Sequence, residues 1–126
     1  MKRILIVEDK ASSRELLRTV LEQLGYAVVE ARDGDEALRQ VRQQPPDLVL
    51  MDLQMPARNG FDVLQEIRKD PELARLPVVA VTANAMPGDQ EKALAAGFTG
   101  YIAKPVALAH LRSEVTRILG QEQASK

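Results

Sequence analysis

Apolar residues fall along this chain in two alternating periods. Arg3-Ile4-Leu5-Ile6-Val7, Ala27 to Ala31, Leu48-Val49-Leu50-Met51, Val78-Val79-Ala80-Val81-Thr82 and Gly100-Tyr101-Ile102-Ala103 are short runs rich in β-branched residues. Runs of this kind predict strands covered on both faces, as in a parallel sheet. Between them the apolar positions recur at helical spacing. Leu16, Leu17, Val20, Leu21 and Leu24 form one stripe, with Ser12 and Glu15 at capping-box spacing before it and Gly25 as its stop. Asp33 and Glu36 open a second helix whose inner face is Ala37, Leu38 and Val41, ended by Pro45-Pro46. Asn59-Gly60 opens a third with Val63, Leu64 and Ile67, closed by Asp70-Pro71. A fourth, Pro87 to Ala96, offers only alanines and Leu94 to a core, so its anchorage should be the weakest. Leu108, Leu111, Val115, Ile118 and Leu119 make the last amphipathic helix.

Five alternations of strand and helix predict an α/β domain: a five-stranded parallel sheet with five helices on both faces. Right-handed crossovers leave few topologies, and the expected strand order is 2-1-3-4-5, the flavodoxin-like (βα)5 arrangement. The domain should occupy residues 1–120, with 121–126 as a polar tail.

Composition narrows the class. A chain of 126 residues can bury a core without staples, and its charge of −1 gives no basic surplus for nucleic acid or an anionic membrane. There is no cysteine, which excludes disulfides, thiolate nucleophiles and sulfur-ligated metals. The apolar run after Met1-Lys2-Arg3 ends at Glu8-Asp9, too short for a signal peptide or a span, so a cytoplasmic protein is expected.

The candidate chemistry lies at the strand ends. Strand one leaves Glu8-Asp9, strand three Asp52, strand four Thr82 and strand five Lys104-Pro105. In the 2-1-3-4-5 order these converge on the rim where open α/β sheets bind ligands. Asp52, a charge ending an apolar strand, is costly unless a site needs it there. Three crowded carboxylates repel unless a cation is present, and an all-oxygen set selects a hard ion such as Mg²⁺. A lysine and a hydroxyl opposite suit an anion. Carboxylate nucleophile, divalent metal and cationic clamp together describe phosphoryl transfer to an aspartate.

The motifs Val7-Glu8-Asp9, Asp52-Leu53-Gln54-Met55-Pro56 with Asn59-Gly60, Val81-Thr82-Ala83 and Gly100-Tyr101-Ile102-Ala103-Lys104-Pro105 stand in order on predicted strand ends. Over residues 2–120 the chain resembles the receiver domains of two-component response regulators. The run Thr82-Ala83-Asn84-Ala85-Met86 with Gly88-Asp89 and Ala96-Gly97 is most similar to receivers of hybrid histidine kinases or freestanding relay receivers.

The resemblance implies roles position by position. Asp52 corresponds to the phosphoryl acceptor, Thr82 to the hydroxyl that bonds the phosphoryl group, and Lys104 to the ammonium that pairs with it. Glu8 and Asp9 correspond to the acidic pair that holds Mg²⁺, with Asp52 and the backbone carbonyl of Gln54 as further ligands. Tyr101 corresponds to a switch aromatic, although a core tyrosine with a wet hydroxyl is the bland reading. Lys104-Pro105 is expected to be cis. Gln54, Arg58 and Asn84 are expected to tune the lifetime of the phosphate, and Lys10 and Arg58 could bring positive charge to the mouth of the site. His110 lies off the apolar stripe of its helix, and Arg68, Lys69, Asp70, Glu72 and Arg75 read as a solvated face.

The implied function is a single-domain response regulator, not a turnover enzyme. It would take a phosphoryl group from a histidine kinase or phosphotransfer protein and switch binding of a downstream protein through the face of helix four, strand five and helix five. The alternatives are a phosphorelay intermediate or a phosphate-independent adaptor. A phosphohydrolase using an aspartyl phosphate would carry a second Asp two residues after the nucleophile, where this chain has Gln54. A flavin module would need a phosphate loop where this chain has Glu8-Asp9-Lys10.

Overall fold

The computed structural model describes residues 1–55, 58–83 and 86–120. The described chain alternates strictly: β1 (Arg3–Val7), α1 (Ala11–Gln23), β2 (Ala27–Ala31), α2 (Gly34–Gln43), β3 (Leu48–Asp52), α3 (Gly60–Lys69), β4 (Val78–Thr82), α4 (Asp89–Ala96), β5 (Gly100–Ala103) and α5 (Leu108–Leu119). All strand pairs are parallel, and the sheet order is β2-β1-β3-β4-β5, as the alternation predicts.

The period-2 alternation of the strands divides the core into two layers. Ile4, Ile6, Leu48, Leu50, Val79, Val81 and Ile102 face α1 and α5, where Leu17, Leu21, Leu111 and Val115 meet them. Leu5, Val7, Val49, Met51, Val78 and Ala80 face the opposite layer, packed by Ala37, Leu38 and Val41 of α2 and by Val63, Leu64 and Ile67 of α3. Helix α4 adds Ala93 as its sole buried residue. Its grip on the sheet is the weakest of the five, as its alanine-rich sequence implies.

Three local expectations are corrected. Helix α1 is not capped by Ser12: it starts at Ala11, with Lys10 in the cap position and no side-chain cap. Leu16 is 65% exposed. At 100° per residue it stands about 90° round from the centre of the Leu17, Val20, Leu21 and Leu24 stripe. Leu108, the first residue of α5, is 59% exposed although its angle is right, so only the later turns of that helix reach the sheet. In contrast, α2 and α3 start as expected, Asp33 accepting from the Glu36 N–H and Asn59 from the Asp62 N–H.

Arg68 also departs from its solvated reading. Its guanidinium is half-buried and donates to the carbonyls of Gly97 (2.8 Å), Leu76 (2.7 Å) and Ala74 (3.3 Å), tying α3 to the loops flanking β4 and β5. Burial, with no paired carboxylate among the described residues, holds its pKa below the usual arginine value. The (CH₂)₃ stem explains why charge patterning misplaced it: long cations can bury their stems and serve carbonyls.

Candidate functional site

Strand register brings the polar strand ends together. Val7 pairs with Met51 and Asp52 with Val81, so one further step along β1 sets Glu8 beside Asp52. Glu8, Asp52 and Lys104 have the parity of Ile6, Leu50 and Ile102, which places all three toward the α1 and α5 layer. Glu8 (1%), Asp52 (4%) and Thr82 (2%) are the buried polar side chains among the described residues.

Lys104 is the local counter-charge. Its Nζ lies 2.7 Å from Glu8 Oε1 and 3.7 Å from Asp52 Oδ2. The backbone holds it there through the Lys104 N–H on the Thr82 carbonyl (2.8 Å), and the Lys104–Pro105 peptide is cis. The Glu8 carboxylate also accepts from the Lys10 N–H at 3.1 Å, and Asp52 Oδ1 accepts from the Gln54 N–H at 3.0 Å.

These contacts split the two buried carboxylates. Burial pushes the Glu8 carboxyl up, but the hydrogen bonds from Lys104 and the Lys10 N–H, the Lys104 charge and the contact with Asp52 act against it and leave it below the usual carboxylate value. Asp52 goes the other way. Burial is the main cause, the Gln54 amide opposes it, and the neighbouring Glu8 charge adds to it, so the Asp52 carboxyl is pushed up to about 6. Lys104 loses some of its preference for charge by burial and regains more from Glu8 and Asp52, ending above its ordinary value. One lysine therefore serves mainly Glu8, and Asp52 is the under-compensated charge.

One carboxylate oxygen each of Glu8, Asp9 and Asp52 lies within 4.8 Å of the others, with Asp9 exposed at the mouth. Three hard oxygens, at least one open to water, fit the needs of Mg²⁺, which keeps several waters and takes few protein carboxylates. A dication held here would also supply the positive charge that Asp52 lacks.

The remaining candidates fall in different places. The Gln54 side chain is exposed and its Oε1 accepts from the Ala83 N–H at 3.2 Å, bridging the loops after β3 and β4. Arg58 does not stand over the carboxylates. Its guanidinium is held by Asp35 of α2 (3.0 Å) and Glu66 of α3 (3.8 Å), so the expected charge at the mouth is spent between two helices. Lys10 and His110 are exposed. Asn84 lies outside the described residues. The Tyr101 ring packs on the α2 and α3 layer, and its buried hydroxyl has no hydrogen-bond partner among the described residues. Burial, and next the Asp89 charge, hold that phenol above its ordinary pKa.

Two features escaped the sequence. Gly60 is a close-approach glycine: a Cβ there would sit 3.1 Å from both the Asp52 carbonyl oxygen and Leu53 Cα, so α3 begins directly against the backbone that follows Asp52. Its place in Asn59-Gly60 suggested only a helix start. Arg14 of α1 donates to the carbonyl oxygens of Glu8 (2.9 Å) and Asp9 (3.2 Å), the backbone that carries the acidic pair. A lone charge in the half-buried strand β2, Glu30, was the available signal, since it needs a partner, and Arg14 is one.

Residues 4–116 match the response regulator receiver domain family. The chain belongs to that family. Among curated relatives, this receiver is 40% identical over 119 residues to the polar-differentiation response regulator DivK of Brucella anthropi, covering 94% of this chain and 97% of that one. A solved putative response regulator from Chloroflexus aurantiacus superposes with a TM-score of 0.89 at 32% identity, covering 94% of this chain and 97% of that one. The receiver domain of the sensor histidine kinase PA1611 from Pseudomonas aeruginosa, solved with a magnesium ion coordinated in its active site cleft, gives a TM-score of 0.86 at 38% identity. It covers 94% of this chain and 98% of that one. Receiver domains are signalling proteins of two-component systems. Among the described residues of this receiver, no helix is long and apolar enough to cross a membrane.

Proposed function

We propose that this receiver accepts a phosphoryl group on Asp52 from a phosphohistidine of a histidine kinase or phosphotransfer protein, with Mg²⁺ bound, and then changes its affinity for a downstream protein. The observation that carries this reading is the geometry around Asp52. It is a buried, under-compensated carboxylate, with Lys104 Nζ 3.7 Å away and two further carboxylates completing a hard-cation donor set. With its pKa at about 6 Asp52 is mostly ionised near neutral pH, as a nucleophile must be.

In the transfer, an Asp52 carboxylate oxygen attacks phosphorus, the P–N bond to the donor imidazole breaks, and its electron pair stays on the imidazole nitrogen. Glu8, Asp9, Asp52 and the Gln54 carbonyl would hold Mg²⁺, which when bound neutralises charge on the phosphoryl oxygens. Lys104 offers its ammonium to the same oxygens, and Thr82, buried at the end of β4, offers its hydroxyl. Gln54 and Asn84 are the side chains that would set the lifetime of the phosphate, whereas Arg58, tied to Asp35 and Glu66, leaves that role.

Hydrogen bonds to charged groups contribute about 1.5–3 kcal/mol each, whereas a switch from mostly off to mostly on takes about 5.5 kcal/mol. Lys104 already bonds Glu8 at 2.7 Å, so its move to a phosphoryl oxygen is an exchange and yields only a difference. The bound cation therefore carries more of the switch than a count of new bonds implies. The moving part is α4, held by Ala93, next to a cavity of about 260 Å³ lined by Gln90, Leu94, Thr99, Tyr101 and His110 at the α4–β5–α5 face. Tyr101, whose hydroxyl has no partner among the described residues, is the side chain poised to change place there. We assign the protein to the cytoplasm, the compartment that holds the phosphohistidine donor this reading requires.

A second reading is that the group is passed onward to another histidine. It is favoured by the 38% identity to a receiver domain of a sensor histidine kinase. Incubation with Mg²⁺ and a small phosphodonor, read by intact mass, tests the first reading. Wild type should gain one phosphoryl group and Asp52→Ala none; equal gain in both removes Asp52 from the role. Adding a histidine phosphotransfer domain to the phosphorylated protein then separates relay, in which the group moves, from a terminal regulator, in which it hydrolyses in place.

A further inference from the structure

We infer that Arg14 is a positioning residue for the divalent-cation site, fixing the backbone from which Glu8 and Asp9 project. This rests on the reading of Glu8, Asp9 and Asp52 as a Mg²⁺ site.

The β1–α1 connection is only three residues long, Glu8 to Lys10, and it carries two of the three carboxylates. Its amides are held at both ends, Glu8 N–H on the Ala31 carbonyl (3.0 Å) and Lys10 N–H on Glu8 Oε2 (3.1 Å). Two of its three carbonyls, those of Glu8 and Asp9, are held by one side chain. Arg14 reaches back from the first turn of α1 and donates through one terminal nitrogen to both Glu8 O (2.9 Å) and Asp9 O (3.2 Å). The Arg14 side chain is itself fixed, its Nε 2.9 Å from Glu30 Oε1 on β2, with only 14% of the side chain exposed. The other Glu30 oxygen is taken by Arg18 at 2.6 Å. The path runs from β2 through Glu30 and Arg14 to the peptide planes that aim two cation ligands.

Helix α1 has no side-chain N-cap, so Arg14 does for this loop what a cap does elsewhere, but from the carbonyl side. The exposed Asp9 gains most, because its carboxylate direction follows from its backbone. Outer partners that orient metal ligands typically change metal affinity about 10–100-fold when removed.

The sign of the effect separates positioning from simple charge. Arg14 is a cation near a cation site. Through its field alone it repels Mg²⁺, so its deletion should tighten binding. Positioning makes the opposite prediction. Arg18 is the internal control, since it shares Glu30 but bonds neither loop carbonyl.

The test is Mg²⁺ titration of the whole chain by calorimetry, with urea denaturation alongside. Arg14→Ala should weaken Mg²⁺ about tenfold. Arg18→Ala should stay within about twofold of wild type, since an exposed pair away from the loop contributes little. Arg14→Lys keeps the charge, but a compact ammonium cannot span Glu30 and two carbonyls as the planar fork does, so it too should weaken binding several-fold. It decides the matter if Arg14→Ala does not fold. Unchanged or tighter binding in the Arg14 variants overturns the inference, as does equal weakening in Arg18→Ala, which would mean that α1 has merely loosened. Failure of wild type to bind Mg²⁺ is a separate result, seen before any variant is examined, and it removes the cation-site reading together with this one.

Discussion

Replacing Asp52 with asparagine should stabilise the metal-free protein at pH 8. In the fold the Asp52 carboxyl is pushed up to about 6 from an ordinary 3.8, so the native state holds that proton more tightly than the unfolded chain. Between those values the native state binds more protons, and stability contributed by this group falls as pH rises. Above about 6 the full penalty is present. Roughly two pKa units at about 1.4 kcal/mol each give about 3 kcal/mol as the upper bound, and coupling to Glu8 and Lys104 lowers it. Asp52→Asn removes the charge, keeps an oxygen for the Gln54 N–H, and leaves the Glu8–Lys104 pair intact. Urea denaturation with chelator should show a gain of about 1–3 kcal/mol at pH 8 that shrinks toward zero near pH 4. Saturating Mg²⁺ should erase the gain by stabilising wild type alone. A variant less stable than wild type at pH 8, or a gain of equal size at both pH values, would refute the reasoning.

Other perturbations probe other parts of the same account. Lys104→Met leaves Glu8 and Asp52 buried without a cation and should cost about 3–5 kcal/mol at pH 8 in chelator, with part recovered on adding Mg²⁺; a loss that Mg²⁺ does not touch contradicts the shared-charge account. Tyr101→Phe removes a buried hydroxyl that has no partner among the described residues and should stabilise the unphosphorylated protein by about 1 kcal/mol in the same assay. Asp9→Ala should weaken Mg²⁺ at least tenfold by calorimetry, and unchanged binding takes Asp9 out of the donor set. Gly60→Ala presses a methyl on backbone atoms beside Asp52 and should cost about 1–3 kcal/mol; full stability would show that the close approach can relax.

The fold was legible because strand pattern and helix pattern never conflict. The β1, β2, β4 and β5 runs have the bounds that the structure shows, β3 extends one residue beyond its apolar run to Asp52, and the Asp33 and Asn59 caps were visible in their spacing. What failed was local. Ser12 and Glu15 have the right spacing for a capping box, but the chain enters α1 two residues too early for Ser12 to serve, and the carbonyls of Glu8 and Asp9 are held by Arg14 instead. Leu16 matches a helical period yet faces water, because adjacency to Leu17 in sequence does not give adjacency on the helix surface.

The acidic rim was legible for a different reason. Strand ends in a parallel sheet share one edge, so Glu8, Asp52, Thr82 and Lys104 had to meet once the order was right. The partners that orient them were not legible, since Arg14, Arg58 and Arg68 each look like ordinary surface charge. Only three dimensions show that Arg14 serves the β1–α1 loop, Arg58 joins α2 to α3, and Arg68 serves carbonyls around β4 and β5. Nothing in the sequence says which partner a long cation will reach.

The central claim is that Asp52 is the residue phosphorylated. It is tested most directly by borohydride reduction of the protein after incubation with Mg²⁺ and a small phosphodonor, because an acyl phosphate is reduced to an alcohol that peptide mapping can locate. The account predicts that the reduced residue lies at position 52, in the tryptic peptide that begins after Arg42 and ends at Arg58. Reduction at Glu8 or Asp9 instead, or label that resists borohydride and maps to His110, would contradict it.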